Sequence, residues 1–217
     1  MLSEIRTGAI VSSNGAVNPG RSDKTGATVV TDAHGHWSEA ATQQKLFTAF
    51  LSQGTSTVAA GNIVGAAAAA STQFAVWNPV GSTVNLVIQK LRIQQYSGTP
   101  TAGGLTLSTF NATAVANSLA TTSAVKNNYV GGPTGFGLCL ASAAGAALTG
   151  GTALTTLLNT GWSSSATALA SPSGIGYVEN LDGEVIIPPG YGVVPTWAGA
   201  GTTYLVGYSL TWEEVAF

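Results

Sequence analysis

The chain has 217 residues, which is enough for one large domain with a substantial core, or for one domain and an arm. Only 7% of its residues are charged, against roughly a quarter in a typical soluble domain, and 45% are hydrophobic. The formal net charge of -2 argues against nucleic-acid binding, and frequent Gly, Pro, Asn, Ser and Thr leave no apolar run of about twenty residues for a transmembrane helix. Because charge keeps a monomer's surface hydrated, we expect this chain to be partly covered by neighbouring molecules.

Residues 1–45 predict an extended N-terminal arm. They hold half of all the charged residues, and turn signals at Asn14-Gly15 and Asn18-Pro19-Gly20 separate short apolar pieces. Such a segment has little core of its own and would order best against another chain. The start of the chain, Met1 to Arg6, lacks the apolar core of a secretory signal, so we do not expect export.

After the arm the pattern changes to short strands and turns. Strands are predicted over Lys45 to Leu51, Thr55 to Ala60, Thr72 to Trp77 and Thr83 to Tyr96, with a turn at Asn78-Pro79-Val80-Gly81. In the fourth run Val84, Leu86 and Ile88 share one face, whereas Leu91 and Ile93 fall on the other. This change of phase predicts either a bulge near Gln89-Lys90 or a strand covered on both faces.

The middle of the chain, Leu105 to Ala170, has short apolar runs separated by Gly, Ser, Thr and Asn. The pattern is typical of long decorated loops between strands, and the runs are Leu105 to Phe110, Phe136 to Leu140 and Ala153 to Leu158. The Ala-rich piece Gly65 to Ser71 lacks caps and amphipathic spacing, so we interpret it as a close-packed loop. Cys139 lies among apolar residues, which predicts a buried small side chain rather than a reactive thiol.

The C-terminal part, Gly183 to Phe217, predicts antiparallel strands. A turn at Pro188-Pro189-Gly190 separates two apolar runs, and in the final run large side chains recur at every second position from Tyr204 to Trp212. Asp182-Gly183 predicts a hairpin turn between Tyr177 to Leu181 and Glu184 to Ile187. About eight to ten strands with almost no helical signal predict an all-β protein: a jelly-roll-like antiparallel sandwich over residues 46–217.

Two polar clusters could hold a metal ion, and each has a simpler interpretation. Asp32, His34, His36 and Glu39 have ligand-like spacing, but Gly35 favours a polar turn. Glu179, Asn180, Asp182 and Glu184 offer oxygen ligands for calcium, which the predicted hairpin turn explains as well. We therefore expect no metal and no cofactor.

The sequence does not favour catalysis. Adjacent Glu213 and Glu214 point to opposite faces of a strand, so they cannot form an acid/base pair, and we expect them to be a solvated strand end. The chain has neither a Gly-x-Ser-x-Gly elbow nor a phosphate-binding Gly loop, so we do not expect an enzyme.

Contacts between chains are predicted from the remaining aromatic and basic residues. Trp77, Trp197 and Trp212 lie inside apolar runs and predict core positions, whereas Trp37 and Trp162 have polar surroundings. The candidate inter-subunit contacts are Arg6, Arg21, Lys24, Trp37, Lys45 and Trp162. The only charges between Leu46 and Val178 are basic and all later ones are acidic, a pattern that fits either a subunit contact or solvated faces.

Three parts of the chain carry a resemblance to a known group. They are Asp23 to Ala27 leading into Val30 to Gly35, then Phe74 to Asn85, and finally Ile186 to Tyr191 leading to Trp212-Glu213-Glu214. Together they resemble small virion proteins of tailed bacteriophages, of the capsid decoration or cement kind. The resemblance implies a jelly roll, often a homotrimer, that lies on the outside of the phage head and clamps neighbouring major capsid subunits, frequently through an N-terminal arm.

The leading hypothesis is therefore a capsid decoration protein, made in the host cytoplasm and located on the capsid surface of the virion. Its partners would be the major capsid protein and further copies of itself, with no nucleic acid and no membrane. The alternative is a fibre, spike or receptor-binding module in which Trp37, Trp162 and the Gly/Ser/Thr-rich loops contact a glycan. A non-viral trimeric binding module and a cupin-like metalloenzyme are further alternatives.

Overall fold

The structure is a computed structural model that describes residues 37–51, 72–98, 103–112, 125–146, 155–164, 176–199 and 204–217. The chain divides into two units, Met1–Glu39 and Ala40–Phe217. The described residues hold a short helix, α1 (Ser38–Thr42), and ten strands. The strands are β1 (Leu46–Leu51), β2 (Thr72–Trp77), β3 (Val84–Gly98), β4 (Gly103–Asn111), β5 (Val125–Asn127), β6 (Leu138–Ala146), β7 (Thr155–Ser164), β8 (Gly176–Ile187), β9 (Tyr191–Gly199) and β10 (Tyr204–Ala216).

The strands form two antiparallel sheets of five strands each. Sheet one has the order β5-β1-β10-β3-β8, and sheet two has the order β6-β2-β9-β4-β7. Strands β1 to β4 alternate between the sheets, as do β7 to β10, which is the connection pattern of a jelly roll. The inserted strands β5 and β6 extend the two sheets by one strand each. The prediction of an all-β, jelly-roll-like sandwich is confirmed, whereas most of the predicted arm, residues 1–36, lies outside the described residues.

The main core lies between the two sheets. Sheet one contributes Leu86, Ile88, Leu91, Leu210 and Trp212, and sheet two contributes Phe74, Val76, Leu105, Leu107 and Cys139. The Phe74 and Tyr208 rings stack across the core with centroids 5.8 Å apart. Burial of Trp212 and of Cys139 was predicted and is confirmed, and that burial raises the pKa of the Cys139 thiol.

Sheet two has a second buried cluster on its outer face. Ala75, Trp77, Phe110, Leu140 and Val194 pack together there. Gly192 allows this packing, because a Cβ atom at that position would lie 2.4 Å from the Phe110 ring and 2.7 Å from Trp77 Cβ. The predicted burial of Trp77 is confirmed, and the side chain of Trp197 lies outside the described residues.

A bulge in β3 accounts for the predicted change of phase. The pairing of β3 with β8 shifts between Ile88 and Lys90, and its pairing with β10 shifts at the same point, so Gln89 has no partner on either side. Ile88 and Leu91 are therefore both fully buried. The bulge at Gln89-Lys90 is confirmed.

The predicted hairpin at Asp182-Gly183 is wrong. β8 is one strand, and both of its halves pair with β3 in the same direction, from Tyr177 opposite Ile93 to Ile187 opposite Leu86. Asp182 and Gly183 have φ values of 42° and 89° and belong to an irregularity opposite the β3 bulge. An Asp-Gly pair tolerates these backbone angles in a bulge as readily as in a turn, so the local signal does not separate the two.

The two Pro-containing turns are confirmed and lie side by side. The Ser82 N–H donates to Pro79 O at 3.1 Å in one turn, and the Tyr191 N–H donates to Pro188 O at 3.2 Å in the other. The backbone of Asn78 pairs with Gly190 and Tyr191, and its side-chain amide donates to Val84 O at 2.7 Å and to Ile187 O at 3.1 Å. Asn78 thereby joins the β2–β3 turn to the β8–β9 turn.

The apolar runs of the middle region all overlap strands, namely β4, β6 and β7. β5 is a further short strand that the sequence did not indicate. The predicted strand over Thr55 to Ala60 and the Ala-rich piece Gly65 to Ser71 lie outside the described residues.

Candidate interaction surfaces

The loop between β5 and β6, residues 128–137, is held by the side chain of Asn127. Its Oδ1 accepts a hydrogen bond from the Tyr129 N–H at 2.8 Å. Its Nδ2 donates to Gln44 O at 2.8 Å and to Pro133 O at 3.3 Å. The Asn127 side chain therefore joins two points of the loop, Tyr129 and Pro133, to the backbone that precedes β1.

A buried carboxylate anchors the far end of the same loop. Glu214 is only 7% exposed, and its Oε1 accepts hydrogen bonds from the Gly137 N–H at 2.9 Å and from Trp212 Nε1 at 3.4 Å. The loop backbone lies close on the core, since a Cβ atom at Gly137 would be 2.7 Å from the Trp212 ring. The prediction that Glu213 and Glu214 form a solvated strand end is wrong for Glu214, because this loop covers its side chain.

The anchored loop displays apolar side chains beside a cleft. Tyr129 and Phe136 are about half exposed, and Val130 is 95% exposed at the tip of a turn closed by a Gly132 N–H to Tyr129 O bond of 2.8 Å. The cleft has a volume of about 650 Å³, and Lys126 is the one charged residue among those that line it. We call Lys126, Tyr129 and Val130, which line this cleft, the β5–β6 surface.

A second apolar surface lies on the opposite side of the sandwich. Leu157, Ile186 and Tyr191 are each about half exposed around a groove of about 290 Å³ between β8 and the strands of sheet two. Glu184 is the one charged residue that lines this groove. We call Leu157, Glu184, Ile186 and Tyr191 the β7–β8 surface.

A third groove, of about 300 Å³, lies on the outer face of sheet one. Phe50, Arg92 and Val178 line it, and all three are exposed. Arg92 Nη1 donates to Thr211 Oγ1 at 3.3 Å, and Thr211 in turn shares a hydrogen bond of 3.0 Å with Thr48.

Of the six predicted contact residues, only Trp37 and Lys45 have side chains among the described residues. Lys45 is exposed just before β1, and Trp37 is half-buried just before α1. Trp162 belongs to β7, but its side chain lies outside the described residues, as do Arg6, Arg21 and Lys24. Leu157, Ile186 and Tyr191 were missed because an exposed apolar side chain in a strand has the same local pattern as a buried one. Tyr129 and Val130 were missed because a turn sequence does not indicate what its side chains contact.

The metal candidates have no geometric support within the described residues. No group of three or more His, Cys, Asp or Glu side chains lies close enough there to hold an ion. Asp32, His34 and His36 lie outside those residues, and Glu39 is exposed in α1. In the acidic part of β8 the Tyr177 hydroxyl donates to Glu179 Oε2, while Asp182 and Glu184 are exposed.

Comparisons with known proteins give no match for this chain: no protein-family model, no curated protein and no solved structure matches it. Within the described residues, no helix has the length and apolar character needed to cross a bilayer.

Proposed function

We propose that this protein is a capsid decoration, or cement, protein that binds the outer surface of a phage head and stabilises contacts between major capsid subunits. The observation that carries the proposal is a jelly-roll sandwich with few charges and an exposed apolar surface on each of two opposite sides. Exposed apolar clusters of this kind mark contacts with other proteins.

The two apolar surfaces suit permanent contacts because the sandwich holds them in place. The β5–β6 loop is fixed by the Asn127 amide at one end and by the Glu214 carboxylate at the other. A surface that is ordered before binding loses less conformational entropy when its partner arrives. In the proposed function, copies of the sandwich associate with each other, and residues 1–45 bind the shell.

Stabilisation of a shell in this way needs no reaction. Each standard protein–protein interface buries roughly 1,200–2,000 Å², and many copies would add that area across the joints between capsid subunits. Lys45, which is exposed directly before β1, lies where the proposed shell-binding segment meets the sandwich.

The copy number of this chain in purified virions, relative to the major capsid protein, tests the proposal. We expect a simple ratio with hundreds of copies per particle. A handful of copies would replace decoration with a fibre or spike role, and absence from virions would overturn the proposal.

The shell-binding role of the N-terminal segment has its own test in the full-length chain. Combined substitution of Arg6→Ala, Arg21→Ala and Lys24→Ala should weaken binding to capsids that lack this protein. Lys90→Ala, on the outer face of sheet one, is the control and should bind as the unmodified protein does. Equal binding by the triple variant would remove the arm from the proposal.

A further inference from the structure

The β5–β6 surface and the β7–β8 surface lie at opposite ends of the strand orders of the two sheets. Each consists mainly of apolar and aromatic side chains with a single charged residue at its cavity. The charge is Lys126 on one side and Glu184 on the other. Aromatic residues with few charges are typical of the centre of a protein–protein interface.

We propose that copies of this chain associate head to tail, with the β5–β6 surface of one copy docked on the β7–β8 surface of the next. The inference rests on the proposed self-association but not on the capsid as a partner. In this contact the partner of each surface is a second copy of this chain.

Charge favours this pairing over a symmetric one. A symmetric contact between two β5–β6 surfaces would contain only the Lys126 charges, and one between two β7–β8 surfaces only the Glu184 charges with exposed Asp182 nearby. Like charges placed together across an interface cost free energy, whereas the head-to-tail contact brings Lys126 to Glu184.

In the proposed contact, Val130 of one copy inserts into the groove of the next. Val130 is the most exposed large apolar residue among those described, and it projects from the tip of an anchored loop. The β7–β8 surface is a groove of about 290 Å³ with Leu157, Ile186 and Tyr191 around it. An apolar side chain inserted into such a groove forms the kind of buried anchor that dominates binding energy.

The edge strand β8 disfavours the simplest alternative, which is continued strand pairing between subunits. The pairing of β8 with β3 is interrupted at Asp182-Gly183, and the β8 residues Asp182 and Glu184 are exposed. Bulges and charges on an edge strand prevent uncontrolled edge-to-edge pairing. A side-chain contact between two different surfaces can instead repeat from copy to copy and close into a ring.

Charge exchange in the purified full-length protein tests the contact. Sedimentation velocity should show an oligomer for the unmodified chain and a shift toward the 21.7 kDa monomer for both Lys126→Glu and Glu184→Lys. The double variant carrying both changes should return to the oligomer, because it restores an opposite-charge pair. A monomeric unmodified chain, or single variants that stay fully oligomeric, would overturn the proposal.

Complementation between two blocked variants tests the head-to-tail geometry. Val130→Asp blocks the β5–β6 surface and Ile186→Asp blocks the β7–β8 surface, so each should be monomeric alone. An equimolar mixture should form a dimer through the one intact surface on each partner. A symmetric interface would leave one of the variants oligomeric alone, and either that result or a mixture that stays monomeric would contradict the head-to-tail contact.

Phe50→Asp is the matched control, since Phe50 is exposed on the outer face of sheet one at 43%. It should leave the oligomer unchanged, and loss of the oligomer would move the interface to that face. Thermal melts check that every variant is folded. The measurement needs no capsid, so an oligomer that is absent from virions would reject only the decoration role. A monomer that is abundant in virions would reject self-association and this inference but would leave the decoration role standing.

Discussion

The outer faces of the two sheets differ, although the sheets have the same number of strands and the same antiparallel pairing. On sheet two Ala75, Trp77, Ser108 and Thr196 are at most 1% exposed. On sheet one Phe50 is 43% exposed, and Arg92 and Gln94 are exposed as well. Every charged residue within the described strands lies in sheet one, and the described strands of sheet two carry none. Charged residues are therefore confined to the sheet whose outer face is exposed, because burying an unpaired charge costs free energy.

The largest expected loss of stability follows a substitution on the buried outer face of sheet two. Trp77→Ala removes a side chain that is 1% exposed, and we expect a loss of about 3–5 kcal/mol in the free energy of unfolding. The control is Phe50→Ala on the outer face of sheet one, which should cost less than about 1 kcal/mol. Urea denaturation of both variants gives the comparison, and similar losses would mean that the two faces are equally covered.

A pair of glycines gives the next test. Gly192→Ala places a Cβ atom 2.4 Å from the Phe110 ring, and overpacking of this kind should cost about 1–3 kcal/mol. Gly176→Ala in sheet one meets open space, so it should change stability by less than about 0.5 kcal/mol. If Gly192→Ala were also neutral in thermal melts, the cluster around Trp77 and Phe110 would be looser than described.

The inner faces should behave alike in both sheets. Burial raises the pKa of Cys139 in sheet two above its ordinary value of 9.0 and that of Tyr208 in sheet one above 10.0. Above those values the unfolded chain loses protons that the folded chain keeps, so stability is complete below about pH 9 and falls as the pH rises. The loss is up to about 1.4 kcal/mol per pH unit for each group.

Denaturation series from pH 8 to 11 measure this effect. Cys139→Ala and Tyr208→Phe should each flatten the alkaline decline, because each removes one group that titrates in the unfolded chain alone. A decline with an unchanged slope in both variants would assign the pH dependence to other groups.

The smallest effect concerns hydroxyl pairs on the two outer faces. Thr196 Oγ1 shares hydrogen bonds with Thr106 Oγ1 at 2.6 Å and with Ser108 Oγ at 2.8 Å, all buried in sheet two. Thr196→Val should cost about 1 kcal/mol because the buried Ser108 hydroxyl loses that partner. Thr48→Val in sheet one breaks the bonds to Thr211 and Asn128 near solvent and should cost less than about 0.5 kcal/mol. Equal losses in thermal melts would remove the distinction between the two faces at this position.

Much of the fold could be predicted because its signals are local. The alternation in the last strand placed Tyr208, Leu210 and Trp212 on one buried face, and the change of phase after Ile88 located the bulge at Gln89. The interaction surfaces could not be predicted in the same way. Ile186 and Leu86 both lie in apolar runs, yet Ile186 is 55% exposed and Leu86 is fully buried, because exposure depends on which strands lie next to each other.

By itself, the sequence determined the positions of β1, β2, β3 and β10, the two Pro-containing turns and the shortage of charge, since all of these follow from residue type and a period of two. Only the tertiary structure decided that Asp182-Gly183 lies within one strand, that the β5–β6 loop covers Glu214, and that opposite sides of the sandwich carry Lys126 and Glu184. These features join residues far apart in the chain. Contacts of that kind are set by the pairing and packing of whole sheets, which no local pattern of side chains specifies.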